Sequence, residues 1–305
     1  MKKRVLNHIV LTVVIVSLLS AASFYGLCRG LEKTKSGQPG ELNYAANDST
    51  HYNTIFLGSS TIHVAVSPAV FDSITGLHSF NFGMIMYQIT EINMLVKKYI
   101  KSHGAPAHIV IGCDEGTLAR ISGIWHFQLY YPYTEDDDFK EFKTLEPHLR
   151  FGWYLSPVSL NSMDDELKGQ ALLGLAGHQK KYEIPGRGFA TADVKMKNDF
   201  PRINANFKTS IRGWELLEET IGYCRQRNVS VTILVPPKYN YIMSDSNVAF
   251  MAKLKSLQGK YGIRVLDFSD DKRFQSREMF SDRVHLTPRG AYLFTTALAH
   301  EMSVR

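Results

Sequence analysis

Cysteine is scarce in this chain: its 305 residues include three, at positions 28, 113 and 224. The first lies in an amino-terminal apolar segment, and the other two are single residues on predicted apolar elements. No pair has the spacing of metal ligands, and three such residues do not make a disulfide framework. We therefore interpret them as small buried apolar side chains, and we expect neither a metal ion nor a cofactor.

Clustered positive charge is also missing. No tract combines lysine and arginine with interleaved aromatic residues, which argues against nucleic acid binding. The net charge of +6 and the pI near 9.0 are modest. They fit a protein near anionic polymers or lipid headgroups, and equally a bland basic surface. With 44% hydrophobic and 21% charged residues, the composition is that of a globular protein able to bury a core.

One long apolar run is present at residues 5–28, and it follows the basic residues 2–4. As a helix it is just long enough to span the roughly 30 Å hydrocarbon core of a bilayer. The positive end should stay in the cytoplasm and send the rest of the chain across. A cleavable signal peptide is the alternative, since Ser20 and Ala22 fit a small-residue cleavage site. The length of the run and Tyr25 at its far boundary favour an uncleaved anchor.

Two serines directly follow a predicted strand. Residues 54–57 are apolar or β-favouring and run into Gly58, which is typical of a buried strand in a parallel sheet. Ser59 and Ser60 come next, at the point where open α/β sheets place their ligands. Taken alone, the pattern also fits a strand followed by an ordinary Gly-Ser turn.

An aspartate and a histidine stand three residues apart near the carboxyl terminus, as Asp282 and His285. Thr287 and Pro288 have the pattern of an N-cap and a first helical residue, which places His285 in a loop before the last helix. A serine hydroxyl needs a base within hydrogen-bonding reach, and imidazole titrates near neutral pH. Asp282 would fix the tautomer of His285 and stabilise the imidazolium that forms.

Together the two segments resemble the SGNH (GDSL-type) hydrolase superfamily. The resemblance implies that Ser60 is the nucleophile, His285 its base and Asp282 the residue that orients the histidine. Gly58-Ser59-Ser60 replaces the usual Gly-Asp-Ser. We associate this variant with membrane-anchored bacterial members that modify cell-surface polymers.

A second block of the resemblance lies at residues 78–83, which match the family's second strand and the glycine that helps to bind the oxyanion. We expect the backbone amides of Ser60 and Gly83 to be the oxyanion donors, with Asn81 as a side-chain donor. His63 lies one helical turn past Ser60, where it would touch the acceptor or the leaving group. The alternative for His63 is a loop histidine satisfied by its neighbours.

The third block departs from the family. Residues 109–115 take the place of Gly-x-Asn-Asp, and Asp114 stands where the pattern has asparagine. An ionised carboxylate about 4 Å from an oxyanion would cost on the order of 4 kcal/mol at an effective dielectric near 20, as much as a good donor contributes. Asp114 therefore points away from the oxyanion, is held protonated as a donor, or makes the site slow or inert. We expect the first, with Asp114 positioning the acceptor.

Strands alternate with helices along the chain, which predicts an α/β fold with a mainly parallel five-stranded sheet covered on both faces. The resemblance implies the same flavodoxin-like, three-layer α/β/α arrangement. We predict strands at residues 54–58, 78–83, 108–112, 229–235 and 263–267. The expected domains are a cytoplasmic tip and membrane anchor at 1–28, a linker at 29–53, and the SGNH-like domain at 54–305 with an insertion at about 115–202.

The insertion is rich in aromatic residues at 125–133, carries an acidic run at 135–138 and has a predicted helix at 162–175. The aromatics would either stack on sugar rings in a lid or acceptor site, or fill a local core. The acidic run lacks the loop pattern of a calcium site, so we interpret it as a solvated turn.

The resemblance implies an extracytoplasmic serine acyl esterase or O-acyltransferase that acts on ester groups of a cell-envelope polysaccharide or related polymer. Hydrolysis and acyl transfer share one acyl-enzyme, so the motifs do not separate them. The alternative is a non-catalytic carbohydrate-binding or scaffold protein of an envelope-modification complex. The expected location is the inner or plasma membrane, with one span and the domain in the periplasm or outside the cell. The expected partners are the bilayer, the acylated polymer and a membrane-bound acyltransferase, and no nucleic acid.

Overall fold

A computed structural model describes residues 2–119, 123–146, 149, 151, 156–179, 181–192, 208–240 and 244–303. The chain divides into two compact units. The helical unit comprises Met1–Tyr44 and Ser122–Glu183, and the sheet unit comprises Ala45–Ile121 and Ile184–Arg305.

The α-helices follow one another along both units. In chain order they are α1 Lys2–Leu31, α2 Gly37–Asn47, α3 Ser60–His63, α4 Pro68–Thr75, α5 Ile89–His103, α6 Lys140–Leu145, α7 Ser156–Ser162, α8 Asp165–Ala176, α9 Ile211–Arg225, α10 Asp245–Tyr261 and α11 Pro288–Ser303. The strands are β1 Thr54–Gly58, β2 Ser79–Gly83, β3 His108–Gly112, β4 Ser230–Val235 and β5 Arg264–Asp267.

The five strands form one parallel sheet in the order β2-β1-β3-β4-β5. Each connection between neighbours runs through at least one helix, as parallel pairing requires. This confirms the predicted flavodoxin-like α/β fold, and the strand bounds differ from the prediction by a residue at most. The strands β1 and β2 are buried throughout because both faces of the sheet are covered.

Alternate side chains of the strands face different helices. Phe56, Val110 and Leu234 are fully buried with Phe71 of α4 and Phe294 of α11. On the other face α5 packs against α9. The core therefore fixes the strands as a stiff platform, and their carboxyl ends lie at one edge.

The helical unit is built around α1. Its amino-terminal side chains are exposed from Val5 to Leu19, whereas Phe24, Cys28 and Leu31 are buried. The buried end packs against α7 and α8. Within the described residues α1 is the one helix long and apolar enough to cross a membrane, a test that a signal sequence also passes.

The predicted linker at residues 29–53 is largely helical in the structure. The helix α1 continues to Leu31, and α2 follows. Asn43 is buried and its Nδ2 donates to the carbonyl oxygens of Leu31 and Thr34, at 2.6 and 2.7 Å. The Leu31 carbonyl also accepts from the amide of Thr34 at 3.1 Å, so Asn43 binds the last residue of α1 and the turn that follows it. The sequence showed little apolar periodicity here because a side-chain amide, rather than an apolar stripe, fixes this turn.

Several of the described aromatic residues of the insertion form a local core. Tyr130, Phe139 and Phe142 are fully buried, and the ring centroids of Tyr130 and Phe142 lie 4.6 Å apart. Tyr131 packs edge-on against Phe24 of α1, with centroids 4.9 Å apart. The structure thus favours the core interpretation for these rings. Trp125 differs, since 52% of its surface is exposed.

Candidate active site

The candidate nucleophile stands at the start of a short helix. The strand β1 ends at Gly58, Ser59 is the N-cap of α3, and Ser60 is the first helical residue. The Ser59 hydroxyl accepts a hydrogen bond from the amide of Thr61 at 3.4 Å. At this position the backbone N–H of Ser60 has no partner within its own helix.

Three strand-ending glycines hold α3 against the sheet. A Cβ at Gly58 or Gly112 would lie 2.5 or 2.0 Å from Cγ1 of Ile62. A Cβ at Gly83 would lie 2.5 Å from the backbone nitrogen of His63. Any side chain at these positions would push α3 away, so the glycines of the three blocks set how deeply the helix sits.

The loop that carries the candidate base is fixed at both ends. Phe280 and Leu286 form an antiparallel bridge and are both 1% exposed. The Thr287 hydroxyl accepts a hydrogen bond from the amide of Gly290 at 3.2 Å. Thr287 is therefore the N-cap of α11, as the sequence predicts.

One oxygen of Asp282 shapes this loop and the other orients the histidine. Its Oδ1 accepts hydrogen bonds from the amides of Val284 and His285 at 2.9 and 2.8 Å. Its Oδ2 accepts from Nδ1 of His285 at 2.6 Å. The other ring nitrogen, Nε2, lies 2.8 Å from Oγ of Ser60. With Nδ1 protonated, Nε2 is free to accept the serine proton.

The pKa of Asp282 is lowered in the folded chain. Burial alone would raise it, but the hydrogen bonds from the His285 ring and from the Val284 and His285 amides outweigh burial. Hydrogen bonds to the charged form stabilise it. The aspartate is therefore ionised at neutral pH and suited to stabilise an imidazolium.

Asn81, a predicted oxyanion donor, is bonded to backbone groups on all sides. It is fully buried, and its Nδ2 donates to the carbonyl oxygens of Ile62 and Val66 at 2.9 and 2.8 Å. Its Oδ1 accepts from the amide of Gly83 at 2.8 Å. In this structure Asn81 and the Gly83 amide thus bind each other, and Asn81 also binds carbonyl groups in α3 and just beyond it. Their oxyanion roles stay predictions.

His63 is held by a backbone carbonyl group. Its Nδ1 lies 2.7 Å from the carbonyl oxygen of Gly83, to which it donates. Burial lowers the pKa of His63, against the opposing effect of the Gly83 and Gly188 carbonyl groups. The ring contacts match the alternative of a histidine satisfied by its neighbours.

Asp114 is engaged by a threonine and a lysine. Its Oδ1 accepts from the amide and the hydroxyl of Thr117, at 2.9 and 3.0 Å. Its Oδ2 lies 3.8 Å from Nζ of Lys238. Both carboxylate oxygens of Asp114 therefore have partners other than Ser60, and the direction of the carboxylate relative to an oxyanion stays a prediction.

Replacing Asp114 with asparagine should leave hydrolysis of a small activated ester within a few-fold of wild type. The expectation follows because the Asp114 carboxylate contacts Thr117 and Lys238 rather than the reacting atoms. The measurement is kcat/KM of both proteins at one pH. A rise of about a hundredfold, the size of an oxyanion-donor effect, would show instead that Asp114 suppresses hydrolysis.

Sequence reasoning missed a buried charge cluster at the same edge of the sheet. Nζ of Lys238 lies 3.0 Å from Oε2 of Glu115, and these side chains are 10% and 5% exposed. Nδ2 of Asn247 donates to the other oxygen of Glu115. The available signal was that Glu115 and Lys238 each follow a strand end. Within the described residues no group of three His, Cys, Asp or Glu side chains is close enough to hold a metal ion.

Sequence reasoning also left residues 184–192 unplaced. In the sheet unit the amide of Ala190 donates to the carbonyl oxygen of His63 at 3.1 Å. The hydroxyl of Ser281 donates to the carbonyl oxygen of Ala192 at 2.6 Å. This segment therefore contacts α3 and the loop that carries His285.

Comparison with known proteins gives structural likeness only. No family model matches the sequence, and no curated protein does. A solved structure described as a lipolytic protein of the G-D-S-L family from Desulfitobacterium hafniense is 10% identical, with 81% of this chain and 98% of that chain covered and a TM-score of 0.41. One described as an acylhydrolase from Bacteroides fragilis is 12% identical, with 88% and 97% covered and a TM-score of 0.45. A GDSL-like lipase from Bacteroides thetaiotaomicron is 9% identical, with 82% and 86% covered and a TM-score of 0.40.

Identities this low carry no information about a substrate. The sheet order and the glycines that seat α3 are properties of this chain itself. So is the meeting of Ser60 with His285 and Asp282, which are more than 200 residues away in sequence. By these features the chain has a parallel, flavodoxin-like α/β fold that brings Ser60, His285 and Asp282 together.

Proposed function

We propose that this chain is a serine acyl esterase or O-acyltransferase that uses Ser60, His285 and Asp282. The observation that carries the proposal is the continuous hydrogen-bonded series from Oγ of Ser60 through the imidazole of His285 to Asp282, with distances of 2.8 and 2.6 Å. A nucleophile, a base in reach and a group that orients the base are what acyl transfer needs.

The chemistry follows from these positions. Oγ of Ser60 attacks the carbonyl carbon of an ester while Nε2 of His285 takes the hydroxyl proton. The tetrahedral intermediate collapses to an acyl-serine, and His285 returns the proton to the departing alcohol. Water or a second hydroxyl then attacks the acyl-serine by the same steps in reverse. The amide of Ser60, unpaired within α3, is the oxyanion donor we assign.

The proposed location is outside the cytoplasm, with α1 as an uncleaved anchor. The exposed apolar stretch from Val5 to Leu19 and the basic residues 2–4 support it. The helix also runs without a break from this stretch into the buried end at Leu31. We infer ester groups of an envelope polysaccharide or related polymer as the substrate class, and a membrane-bound acyltransferase as a partner, from the sequence resemblance.

Labelling with a serine-reactive fluorophosphonate tests the proposed function. The full chain, purified in detergent, should gain one adduct on Ser60, and Ser60→Ala should gain none. Peptide mass mapping locates the adduct, and heat-denatured protein is the control for non-specific reaction. A folded wild type that stays unlabelled would favour the non-catalytic alternative, a carbohydrate-binding or scaffold protein.

A further inference from the structure

The loop that carries Asp282 and His285 is held from outside by the segment that follows β4. The backbone N–H of Tyr239 donates to the carbonyl oxygen of Arg283 at 2.8 Å. The ring of Tyr239 also packs on the ring of Phe280, with centroids 5.6 Å apart. Tyr239 therefore contacts this loop at two points, one on each side of Asp282.

A single peptide group links this contact to the candidate triad. The peptide group between Arg283 and Val284 is hydrogen-bonded on both sides. Its C=O accepts from Tyr239, and its N–H donates to Oδ1 of Asp282 at 2.9 Å. Because a peptide group is planar, turning it alters both of its hydrogen bonds together. A shift of Tyr239 therefore disturbs the carboxylate that orients His285.

The position of Tyr239 depends in turn on Lys238. Pro236 and Pro237 alone separate Lys238 from the end of β4. Proline fixes its φ at about −65°, so this connection is stiff. The side chain of Lys238 is buried, and its Nζ lies 3.0 Å from Oε2 of Glu115. The segment is therefore attached to the sheet by its backbone and to the residues after β3 by an ion pair.

The backbone of Lys238 has weaker restraints. Its N–H donates to the carbonyl oxygen of Ser269 at 3.3 Å, and its C=O accepts from Nε2 of Gln275 at 3.1 Å. Both of these bonds join neutral groups. Charge-assisted hydrogen bonds are roughly twice as strong as neutral ones. The bond to Glu115 is therefore stronger than either backbone bond of Lys238.

Glu115 provides a fixed attachment point for this ion pair. Its other carboxylate oxygen accepts from Nδ2 of Asn247. Asn247 is the third residue of α10, where its side chain forms a capping box with Ser244. The helix is packed into the sheet unit, since Leu254 is fully buried. The carboxylate thus joins the residues after β3 to the start of a packed helix.

We propose that the ion pair of Glu115 and Lys238 positions the loop that carries the candidate base. It acts through Tyr239 and through the peptide group that binds Asp282. The inference rests on the proposed function, because it concerns the rate of the proposed acyl transfer. The pair is assigned no contact with the substrate. Its removal should therefore lower kcat and leave KM nearly unchanged, since the ester still binds but meets a displaced base.

Two variants of the full chain separate activity from stability. In the first, Lys238→Met is combined with Glu115→Gln, which removes the ion pair without leaving a buried carboxylate that has lost its lysine. The second is Ile92→Ala in α5, which packs against α9. Ile92 is fully buried, so its truncation costs stability by leaving a cavity. The measurements are kcat and KM for a small activated ester, in detergent, at temperatures where circular dichroism shows folded protein.

The double variant should lose roughly 10–100-fold in kcat, with KM within about two-fold of wild type, because a displacement of about 1 Å costs up to roughly 10²-fold. Ile92→Ala should keep kcat within a few-fold of wild type despite its lower stability. A wild-type kcat in the double variant would overturn the proposal. An equal fall in Ile92→Ala would overturn it too, because stability alone would then explain the loss. A raised KM at unchanged kcat would instead place the pair at the substrate.

Glu115→Gln alone is the second variant if the double variant does not fold, because it keeps the shape of the side chain and removes only its charge. Its kcat should fall several-fold at the same KM, and an unchanged kcat would overturn the proposal. Fluorophosphonate labelling distinguishes this result from a failure of the proposed function. A wild type that neither labels nor hydrolyses the ester would mean that the proposed function is wrong. A labelled wild type, with a folded double variant that labels equally fast, would mean that only the positioning role is wrong.

Discussion

Replacing Ser60 with alanine should lower kcat/KM for a small activated ester by roughly 10⁴–10⁶-fold, and His285→Ala should cost about as much. The physical reason is that neither residue can take part in the proton transfer without the other. Oγ of Ser60 needs Nε2 of His285, 2.8 Å away, to take its proton. His285 in turn has nothing to activate once the hydroxyl is gone.

The double variant should therefore be no slower than either single variant. Steady-state rates of the wild type, both single variants and the double variant give the comparison directly. The matched control is Ser73→Ala, because Ser73 is an exposed serine of α4 whose hydroxyl donates to Val70. Its activity should stay within a few-fold of wild type. Multiplying losses in the double variant would mean that the two residues act independently and that the assigned mechanism is wrong.

Replacing Lys238 with methionine should lower the free energy of unfolding by about 3–5 kcal/mol, since it removes one partner of a buried ion pair. Nζ of Lys238 lies 3.0 Å from Oε2 of Glu115, whose side chain is 5% exposed. Without the lysine, the buried Glu115 carboxylate loses the cation that lies 3.0 Å from it. Denaturant unfolding in detergent measures the loss.

Lys97→Met is the matched control for this loss. Lys97 pairs with Glu219 at 2.6 Å, but the side chains are 21% and 46% exposed. Exposed pairs contribute about 0–1 kcal/mol. Glu115→Gln in the Lys238→Met background should restore part of the stability, because the buried charge is then gone. Equal effects of the two lysine variants would contradict the argument.

The same ion pair predicts that the free energy of unfolding falls at alkaline pH. Burial alone would lower the pKa of Lys238, but Asp114 and Glu115 together raise it above the ordinary value. A raised pKa means that the folded chain holds the proton more tightly than the unfolded chain. The stabilisation is therefore complete below the unfolded pKa, about 10.4, and is lost as the pH rises through the folded pKa. The Lys238→Met protein should not show this fall in the free energy of unfolding at alkaline pH.

The features that the sequence determined by itself depend on neighbours along the chain. An apolar run ending in glycine makes a buried strand, and Thr287-Pro288 starts a helix, wherever the rest of the fold lies. Asp282 and His285 are three residues apart, so one turn brings the carboxylate to the ring. The parallel sheet then follows from the alternation of strands and helices, and it carries Ser60 to the same edge.

The tertiary structure alone decided what each remaining side chain binds. Asn81 has the residue type of an oxyanion donor. Its amide group, however, accepts from the Gly83 amide and donates to the carbonyl oxygens of Ile62 and Val66. The ion pair of Glu115 and Lys238 joins residues 123 positions apart. The packing of α8 on α1 likewise joins distant helices through two glycines, which have no side chains to form an apolar pattern. Hydrogen bonds and close contacts between distant segments depend on how whole elements pack, and no local spacing in the sequence records that packing.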